Sequence, residues 1–222
     1  MKFMPSTPLE PPKPVYNIIL ASQSIGRRYL MDKLCVPFRV VPTNLEEDKI
    51  VDNDPKTLIK KRARAKALEI VENARVYSLS QEIDSIVIAA DSMAVLGKKV
   101  YGKPETRESA KDMLAEIMDK THTFVTATTI IHYGKKNPED VKLEELKRWE
   151  DVTETKVTLR KLSKAELDSY VARYDLSRFA AAYALNDIPW DIVTKIDGSY
   201  TNVIGLPLDV VLPIFRKLQI IL

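Results

Sequence analysis

The sequence predicts a mixed α/β (α+β) fold, in which a twisted mixed sheet is flanked by helices and two lobes enclose a central cleft. Three observations predict this class. Apolar runs of strand length alternate with amphipathic runs of helical period. Helix N-cap signals precede several of the amphipathic runs. The chain has 222 residues, of which 45% are hydrophobic and 29% charged, and this length is enough for one substantial core or for two small lobes packed together.

The first half of the chain alternates strand and helix signals. An apolar run ends in polar residues, and Ser24 can cap the helix that follows. Asp54 and Pro55 begin a long helix, because proline is favoured in the first helical turn. The predicted elements are a strand over 15–21, a helix over 26–34, a strand over 37–43, a helix over 55–74 and a strand over 85–91.

The second half continues with a hairpin and further alternation. Thr106 caps one helix, and Ser163 with Glu166 forms a capping box at another. Segment 134–149 is strongly charged, and we interpret it as a loop or a short helix. The predicted elements are a hairpin over 93–104, a helix over 106–120, strands over 121–134 and 153–162, a helix over 163–174, a strand and turn over 190–201 and a helix over 206–218.

Charge and cysteine content narrow the classes of partner. A net charge of +3 is too small to indicate nucleic acid or a membrane surface. One cysteine, Cys35, excludes an intrachain disulfide and fits a reducing, cytoplasmic location. No apolar run reaches the roughly 20 residues that a membrane helix needs. Residues 1–14 carry five prolines and no apolar core of a signal peptide, so we expect a flexible lead-in to a single domain over 15–222.

Polar side chains follow the first apolar strand, where α/β folds place ligand groups. Ser22, Ser24 and Arg27 lie at a predicted helix start, which carries partial positive charge and suits phosphate. Arginine adds a planar fork of donors for phosphate oxygens. The alternative is a plain serine cap with solvated arginines, and Arg28 fits that description better than Arg27.

Two carboxylates follow strands as well. Glu47 lies in an acidic run after the second strand, and Asp91 ends a buried one, where an unpaired carboxylate is costly. Two carboxylates with phosphate oxygens make a Mg²⁺ site. A solvated acidic loop and a turn aspartate are the alternatives.

Two lysines complete the inventory. Lys66 lies near the apolar face of the long helix, and Lys103 is held within Gly-Lys-Pro. The alternatives are a snorkelling lysine and an exposed turn lysine. Cations and carboxylates at element ends together indicate a metal-dependent reaction at a polyphosphate.

Other site classes have little support. His122 and His132 lie far apart, which leaves little for a zinc site or a Ser-His-Asp triad, and His122 at a strand start is typical of a structural residue. No Rossmann or P-loop glycine motif is present. The run KKRARAK is more typical of a solvated helix face than of a nucleic-acid patch.

Seven blocks of sequence occur in an order that resembles a known family. The blocks are LASQS followed by Arg27, EE at 46–47, AKA at 65–67, IAADS with GKP twelve residues on, THTFVTAT, ETKVTLRKLSKAELDSY and GSYTNVIGLPL. In this order they resemble the Maf family of nucleoside triphosphate pyrophosphatases over about residues 18–218. The resemblance implies a Maf/ITPase-like fold.

The resemblance also implies an activity and its residues. Family members hydrolyse the α–β phosphoanhydride of non-standard, modified or pyrimidine nucleotides to a monophosphate and pyrophosphate, using Mg²⁺ or Mn²⁺, and form homodimers. Glu47 and Asp91 would hold the metal, or one of them would activate water. The residues carried over by position are Ser22, Ser24, Arg27, Glu47, Lys66, Asp91 and Lys103 at the active site, with Tyr183 and Asn186 as further substrate contacts.

The chain departs from the family pattern in two places. Ile25 and Gly26 stand where proline and often arginine occur, and the second change weakens the match to the dTTP/UTP-type subgroup. The loop RFAAAYALNDIPW keeps the tyrosine but differs at five positions, Phe179 (lysine), Ala181, Ala184 and Asp187 (glycines) and Asn186 (glutamine). This loop would shape substrate contact, so the alternative function is a catalytically weak nucleotide-binding regulator of cell division on the same fold.

Overall fold

The computed structural model describes residues 16–79, 82–134, 142–186 and 191–222. The lead-in predicted over 1–14 lies outside them. A seven-stranded sheet has the order β2-β1-β3-β5-β6-β7, and β4 pairs with β3. Its strands are β1 (Asn17–Leu20), β2 (Arg39–Val40), β3 (Ser85–Leu96), β4 (Lys99–Tyr101), β5 (Thr121–Tyr133), β6 (Lys147–Leu159) and β7 (Val193–Asp197).

The sheet is mixed, as predicted. β1 runs parallel to both β2 and β3, whereas the pairs β3–β4, β3–β5, β5–β6 and β6–β7 are antiparallel. The helices are α1 (Ile25–Asp32), α2 (Pro55–Glu72), α3 (Arg107–Ile117), α4 (Lys164–Arg173), α5 (Tyr200–Ile204) and α6 (Leu208–Lys217). The predicted mixed sheet flanked by helices is thereby confirmed.

The predicted helix starts are confirmed by their caps. The Ser24 side chain accepts from the Arg27 backbone N–H, and that of Asp54 accepts from Thr57. Thr106 and Ser163 each form a capping box. These caps satisfy backbone donors that a helix start leaves open.

The two faces of the sheet carry separate cores. On β3, Val87 and Ala89 pack with α2, whereas Ile86 and Ile88 pack with the opposite core, to which α1, α3, α4, α5 and α6 contribute. This alternation follows from the two-residue period of a strand. The buried residues of α2 recur at helical spacing and are Ile59, Ala63, Lys66, Ala67, Ile70 and Val71.

Two strand boundaries differ from the prediction. Of the segment predicted as a charged loop or short helix over 134–149, Leu143–Glu145 form a short 3-10 helix, but residues 147–149 belong to β6. The strand starts this early because β5 offers a long edge that pairs with β6 from Thr121 to His132. The charged side chains of this part find partners on α2, for example Glu150, which receives both Arg64 Nε (2.7 Å) and Nη2 (2.6 Å). Residues 135–141 lie outside the described part, so the loop predicted there stays a prediction.

The position of Asp91 also needs correction. It does not end its strand, because β3 continues to Leu96, where it turns back and pairs with β4. The predicted second strand is much shorter than 37–43 and covers only two residues, Arg39–Val40. No helix in the described part of the chain is long and apolar enough to cross a membrane.

The sheet has a notch at one edge of β3. β1 pairs with β3 from Ser85 to Ile88, and β4 pairs with it from Ala94 to Leu96. Between these two partners, residues 89–93 pair with β5 on one side and with no described strand on the other. Side chains from both faces can therefore meet at this notch, and Asp91 lies at its middle.

Candidate active site

Lys66 lies in the notch between two carboxylates. Its Nζ is 2.7 Å from Glu47 Oε2 and 2.8 Å from Asp91 Oδ1. The Lys66 and Asp91 side chains are 8% and 14% exposed, whereas that of Glu47 is 40% exposed. Because burying an ammonium is costly unless it is paired, the two carboxylates stabilise Lys66 in this place. Three residues predicted to share a site are thus in contact.

Three elements supply these side chains. Lys66 lies on the buried face of α2, beside the small side chain of Ala67. Asp91 and Ala89 occupy alternate positions of β3, so both face α2. Glu47 opens a 3-10 helix, Glu47–Lys49, in the segment after β2. The site therefore depends on tertiary packing of segments that are far apart in the chain.

Arg27 reaches the notch from the other face of the sheet. It is buried, and each guanidinium nitrogen donates to the protein. Nε donates to the Gly205 carbonyl (2.8 Å), Nη1 to Ser22 Oγ (3.0 Å) and Nη2 to Ser92 Oγ (3.0 Å). Burial lowers the pKa of Arg27, and the nearby carboxylates of the notch oppose that change. The guanidinium is a fixed positive charge beside the Lys66 cluster.

The two predicted serines order the turn before α1. Ser22 Oγ accepts from the Ser24 backbone N–H (3.2 Å), and Ser24 Oγ accepts from the Arg27 backbone N–H (3.4 Å). Contact of these serines with phosphate stays a prediction. Arg28 is 67% exposed and lies 3.9 Å from Asp32, which is the solvated helix charge expected for it.

Lys103 belongs to the same electrostatic environment. Its side chain is accessible to solvent, yet partial burial and the cations Arg27 and Lys66 lower its pKa, while Glu47 and Asp91 act in the opposite direction. The site thus combines three cationic side chains with two carboxylates. This combination suits a polyanionic ligand bound together with a metal ion.

The 179–186 loop is placed mostly in the core. Tyr183 is 3% exposed, and its hydroxyl lies 2.9 Å from His122 Nε2. The Tyr183 hydroxyl already has a buried partner, and no observation tests its predicted contact with a substrate, which stays a prediction. Asn186 is half-buried at the end of the loop, and Asp187 lies outside the described residues.

Close packing against α5 explains why residue 26 is a glycine in this chain. A Cβ at this position would stand 2.6 Å from the Ile204 carbonyl oxygen and 3.6 Å from Asn186 Oδ1. The first distance is shorter than non-bonded atoms allow, so an arginine here would require α5 to move. The same geometry puts the Asn186 amide beside the start of α1.

Sequence reasoning named Ser22 but missed Ser92 and Gly205, the other two residues that accept hydrogen bonds from Arg27. Ser92 bonds Arg27 and lies 2.9 Å from Thr126 Oγ1, which in turn donates to the Asn202 carbonyl (3.3 Å). Ser92 follows Asp91 directly in the IAADS block, and this adjacency was a usable signal. The Gly205 carbonyl left no such signal, because any residue type can supply a carbonyl.

The carboxylates fit a divalent metal ion. Glu47 and Asp91 both contact the Lys66 ammonium and offer hard oxygen donors, which are the donor type that Mg²⁺ and Mn²⁺ prefer. No group of three His, Cys, Asp or Glu residues that could hold a metal occurs among the described residues. An ion here would complete its shell with substrate phosphate oxygens and water, as Mg²⁺ commonly does.

Comparison with known proteins agrees with the predicted family. Residues 17–218 match the family described as Maf-like protein. A dTTP/UTP pyrophosphatase of Caldanaerobacter subterraneus is 35% identical over 86% of this chain and 84% of its own length. One of Aquifex aeolicus is 32% identical over 92% and 97%. Gly26 thus does not prevent extensive matches to relatives of that name.

The solved structure of a HAM1 protein from Coxiella burnetii aligns with 93% of this chain and 100% of its own chain, with a TM-score of 0.42 and 15% sequence identity. No conclusion is based on this low similarity. The family match covers nearly all of the described residues, and the relatives match over most of their length. The chain belongs to the Maf family.

Proposed function

We propose that this chain hydrolyses pyrimidine nucleoside triphosphates at the α–β phosphoanhydride, giving a nucleoside monophosphate and pyrophosphate. The observation that carries this proposal is the contact of Lys66 with both Glu47 and Asp91 in the notch. The names of the curated relatives support dTTP and UTP as the first substrates to test.

The cations of the site offset the charge of the triphosphate. Arg27 is fixed by three hydrogen bonds, so its charge needs little reorganisation during the reaction. Lys66, which is held between the two carboxylates, and Lys103, whose side chain is exposed, add two ammonium charges. Together they stabilise the negative charge that develops on the leaving pyrophosphate.

The carboxylates supply the other half of the chemistry. A bound Mg²⁺ or Mn²⁺ would polarise phosphate oxygens and bring water close to the phosphorus. Glu47 and Asp91 would hold the ion, and whichever of them is free to do so takes the proton from the attacking water. The oxygen of that water forms a bond to the α-phosphorus, and the bridging oxygen leaves with pyrophosphate.

A nucleotide panel with product analysis tests the proposal. Wild-type protein is incubated with dTTP, UTP and modified nucleotides, with Mg²⁺, Mn²⁺ or excess chelator, and pyrophosphate and monophosphate are measured. We expect release that needs the metal. Release of orthophosphate with a nucleoside diphosphate, or no release by folded protein, would contradict it.

Asp91→Asn serves as the matched control, because it keeps the shape of the side chain and removes its charge. We expect activity to fall by more than about 100-fold, and a similar loss for Lys103→Ala. Activity that survives Asp91→Asn would point to a contaminating enzyme or to a different site.

A second candidate function is nucleotide binding with weak turnover. The observation that favours it is the loop in which Ala181 and Ala182 adopt left-handed backbone angles. Thermal stabilisation by dTTP without product would support this alternative over hydrolysis. The homodimer implied by the family resemblance and the cytoplasmic location that fits the single cysteine are proposed as well, and light scattering of the purified protein tests the first.

A further inference from the structure

Lys103 is placed by its main chain. Within the described part of the chain, no hydrogen bond or ion pair fixes its Nζ, so its position depends on its neighbours. Pro104 after it is buried, and the Gly102 carbonyl before it accepts a hydrogen bond from the Ala181 backbone N–H (2.9 Å). This bond ties the Lys103 turn to the 179–186 loop, which is 79 positions away in sequence.

The part of the loop that makes this bond is strained. Ala181 and Ala182 have φ angles of 56° and 61°, in the left-handed region that favours glycine. Such a conformation costs a non-glycine residue about 1 kcal/mol or more. Both alanines are fully buried, so neighbouring contacts have to hold them in place.

Tyr183 provides the contact that follows directly in sequence. Its hydroxyl lies 2.9 Å from His122 Nε2 on β5, and its ring packs edge-on against His122 and Phe124, at 5.5 and 6.3 Å between centroids. Burial lowers the pKa of His122 to about 4 and raises the pKa of Tyr183. Both groups are therefore neutral at pH 7, and their hydrogen bond anchors the loop to the sheet.

We propose that Tyr183 and His122 position Lys103 through the hydrogen bond between Ala181 and Gly102. Tyr183 then acts as a positioning residue and touches no substrate. The proposal rests on the proposed function, in which Lys103 stabilises the reacting triphosphate. A loosened loop would let the Lys103 turn move, and displacements of about 1 Å from a productive geometry can lower rates by up to about 100-fold.

Tyr183→Phe is the first test, with Tyr170→Phe as its matched control. Tyr170 is also buried, on α4, but its hydroxyl has no hydrogen-bond partner within the described residues. We expect Tyr183→Phe to lower kcat by roughly tenfold or more with little change in KM, and Tyr170→Phe to leave both unchanged. A Tyr183→Phe kcat within twofold of wild type, or an equal loss in Tyr170→Phe, overturns the proposal.

A double-variant comparison separates positioning from general stability. In a Lys103→Ala background, Tyr183→Phe should lower kcat no further, whereas its effect on Tm should be the same in both backgrounds. An equal fold-loss of kcat with and without Lys103 overturns the proposal. If Tyr183→Phe does not fold, His122→Gln removes the imidazole partner from the other side and is compared in the same way.

Hydrogen exchange tests the link without any nucleotide. The Ala181 amide should exchange at least about tenfold faster in Tyr183→Phe, and at the wild-type rate in Tyr170→Phe. Faster exchange in Tyr183→Phe, together with a wild-type protein that hydrolyses no nucleotide, would leave the mechanical link intact and overturn only the proposed function. Unchanged Ala181 exchange overturns the positioning proposal, whatever the wild-type activity.

Discussion

At the scale of single residues, the site is organised around one ammonium. Lys66 neutralises Asp91, which is nearly buried, and contacts Glu47, which is half-exposed. Without the Lys66 ammonium, the two negatively charged carboxylates would have no positive charge between them to offset their repulsion. The free energy of unfolding should therefore depend on Lys66, and a divalent cation should be able to replace part of its effect.

We predict that Lys66→Met, which keeps most of the side-chain length, lowers the free energy of unfolding by about 2–4 kcal/mol, because Asp91 loses its partner in a buried place. Urea denaturation measures this. Adding Mg²⁺ should stabilise Lys66→Met more than wild type. Equal effects of Mg²⁺ on both proteins would argue against a metal site at these carboxylates.

The same Lys66→Met change in an Asp91→Asn background is the control. There the neutral amide needs no counter-ion, so the loss from Lys66→Met should be smaller than in the wild-type background. Simple additivity of the two changes would mean that the pair contributes little to stability.

The backbone of Ala181 gives a second prediction at this scale. We expect Ala181→Gly to raise the free energy of unfolding by up to about 1 kcal/mol, because relief of a left-handed alanine exceeds the entropy that glycine adds to the unfolded chain. Ala184 is the control, since it replaces a family glycine but has no positive φ, and Ala184→Gly should destabilise. Thermal unfolding measures both variants, and we expect a higher Tm than wild type for Ala181→Gly and a lower Tm for Ala184→Gly.

Sequence reasoning worked unevenly for single residues. Glu47, Lys66 and Asp91 were assigned to one site through the ordered family motifs, and they do meet. The bond from Arg27 to the Gly205 carbonyl joins residues 178 positions apart, and the carbonyl carries no residue-type signal. Such contacts follow from the tertiary fold, which local patterns do not specify.

At the scale of elements, a chain of hydrogen bonds connects α5 to the sheet and to Arg27. Asn202 is fully buried, and its Nδ2 donates to the Phe124 carbonyl (3.1 Å) and to Thr155 Oγ1 (3.0 Å). Its own carbonyl accepts from Thr126. Since Gly205 ends α5, this network also sets where the carbonyl that holds Arg27 lies.

We predict that Asn202→Ala lowers the free energy of unfolding by about 2–3 kcal/mol, because it removes two buried hydrogen bonds, to the Phe124 carbonyl and to Thr155 Oγ1, and leaves a cavity in the core. Chemical denaturation measures the loss. Thr194→Ala is a control on β7, where an exposed hydroxyl bonds a carbonyl, and should cost less than about 1 kcal/mol. Equal losses of unfolding free energy in the two variants would show that the buried Asn202 network contributes no more to stability than an exposed hydrogen bond does.

Element types were predictable, whereas several element ends were not. Helix starts were local, because caps such as Ser24 and Thr106 lie next to the helix they begin. The start of β6 at Lys147 and the continuation of β3 past Asp91 depend on β5, which pairs with both strands. A charged segment becomes a strand when a neighbouring strand offers hydrogen bonds and a helix offers counter-ions.

At the scale of the molecule, the site exists because the sheet has an incomplete edge. β1 and β4 each pair with one part of β3, and the notch between them admits Arg27 from one face and Lys66 from the other. The sequence predicted the strands but not this gap, since the end of β1 and the pairing of β4 are set by the assembled sheet.

The buried His122 couples stability of the whole molecule to pH. Burial lowers its pKa from 6.5 to about 4, so between these values the unfolded chain binds a proton that the folded protein does not. Its contribution is complete above pH 6.5 and falls by about 3 kcal/mol as pH drops to 4. Urea denaturation of the wild type at a series of pH values should show this loss over that window. In His122→Gln, the fall in the free energy of unfolding over the same window should be smaller by about the same 3 kcal/mol. An NMR titration of His122 near 6.5, or parallel curves, would contradict the prediction.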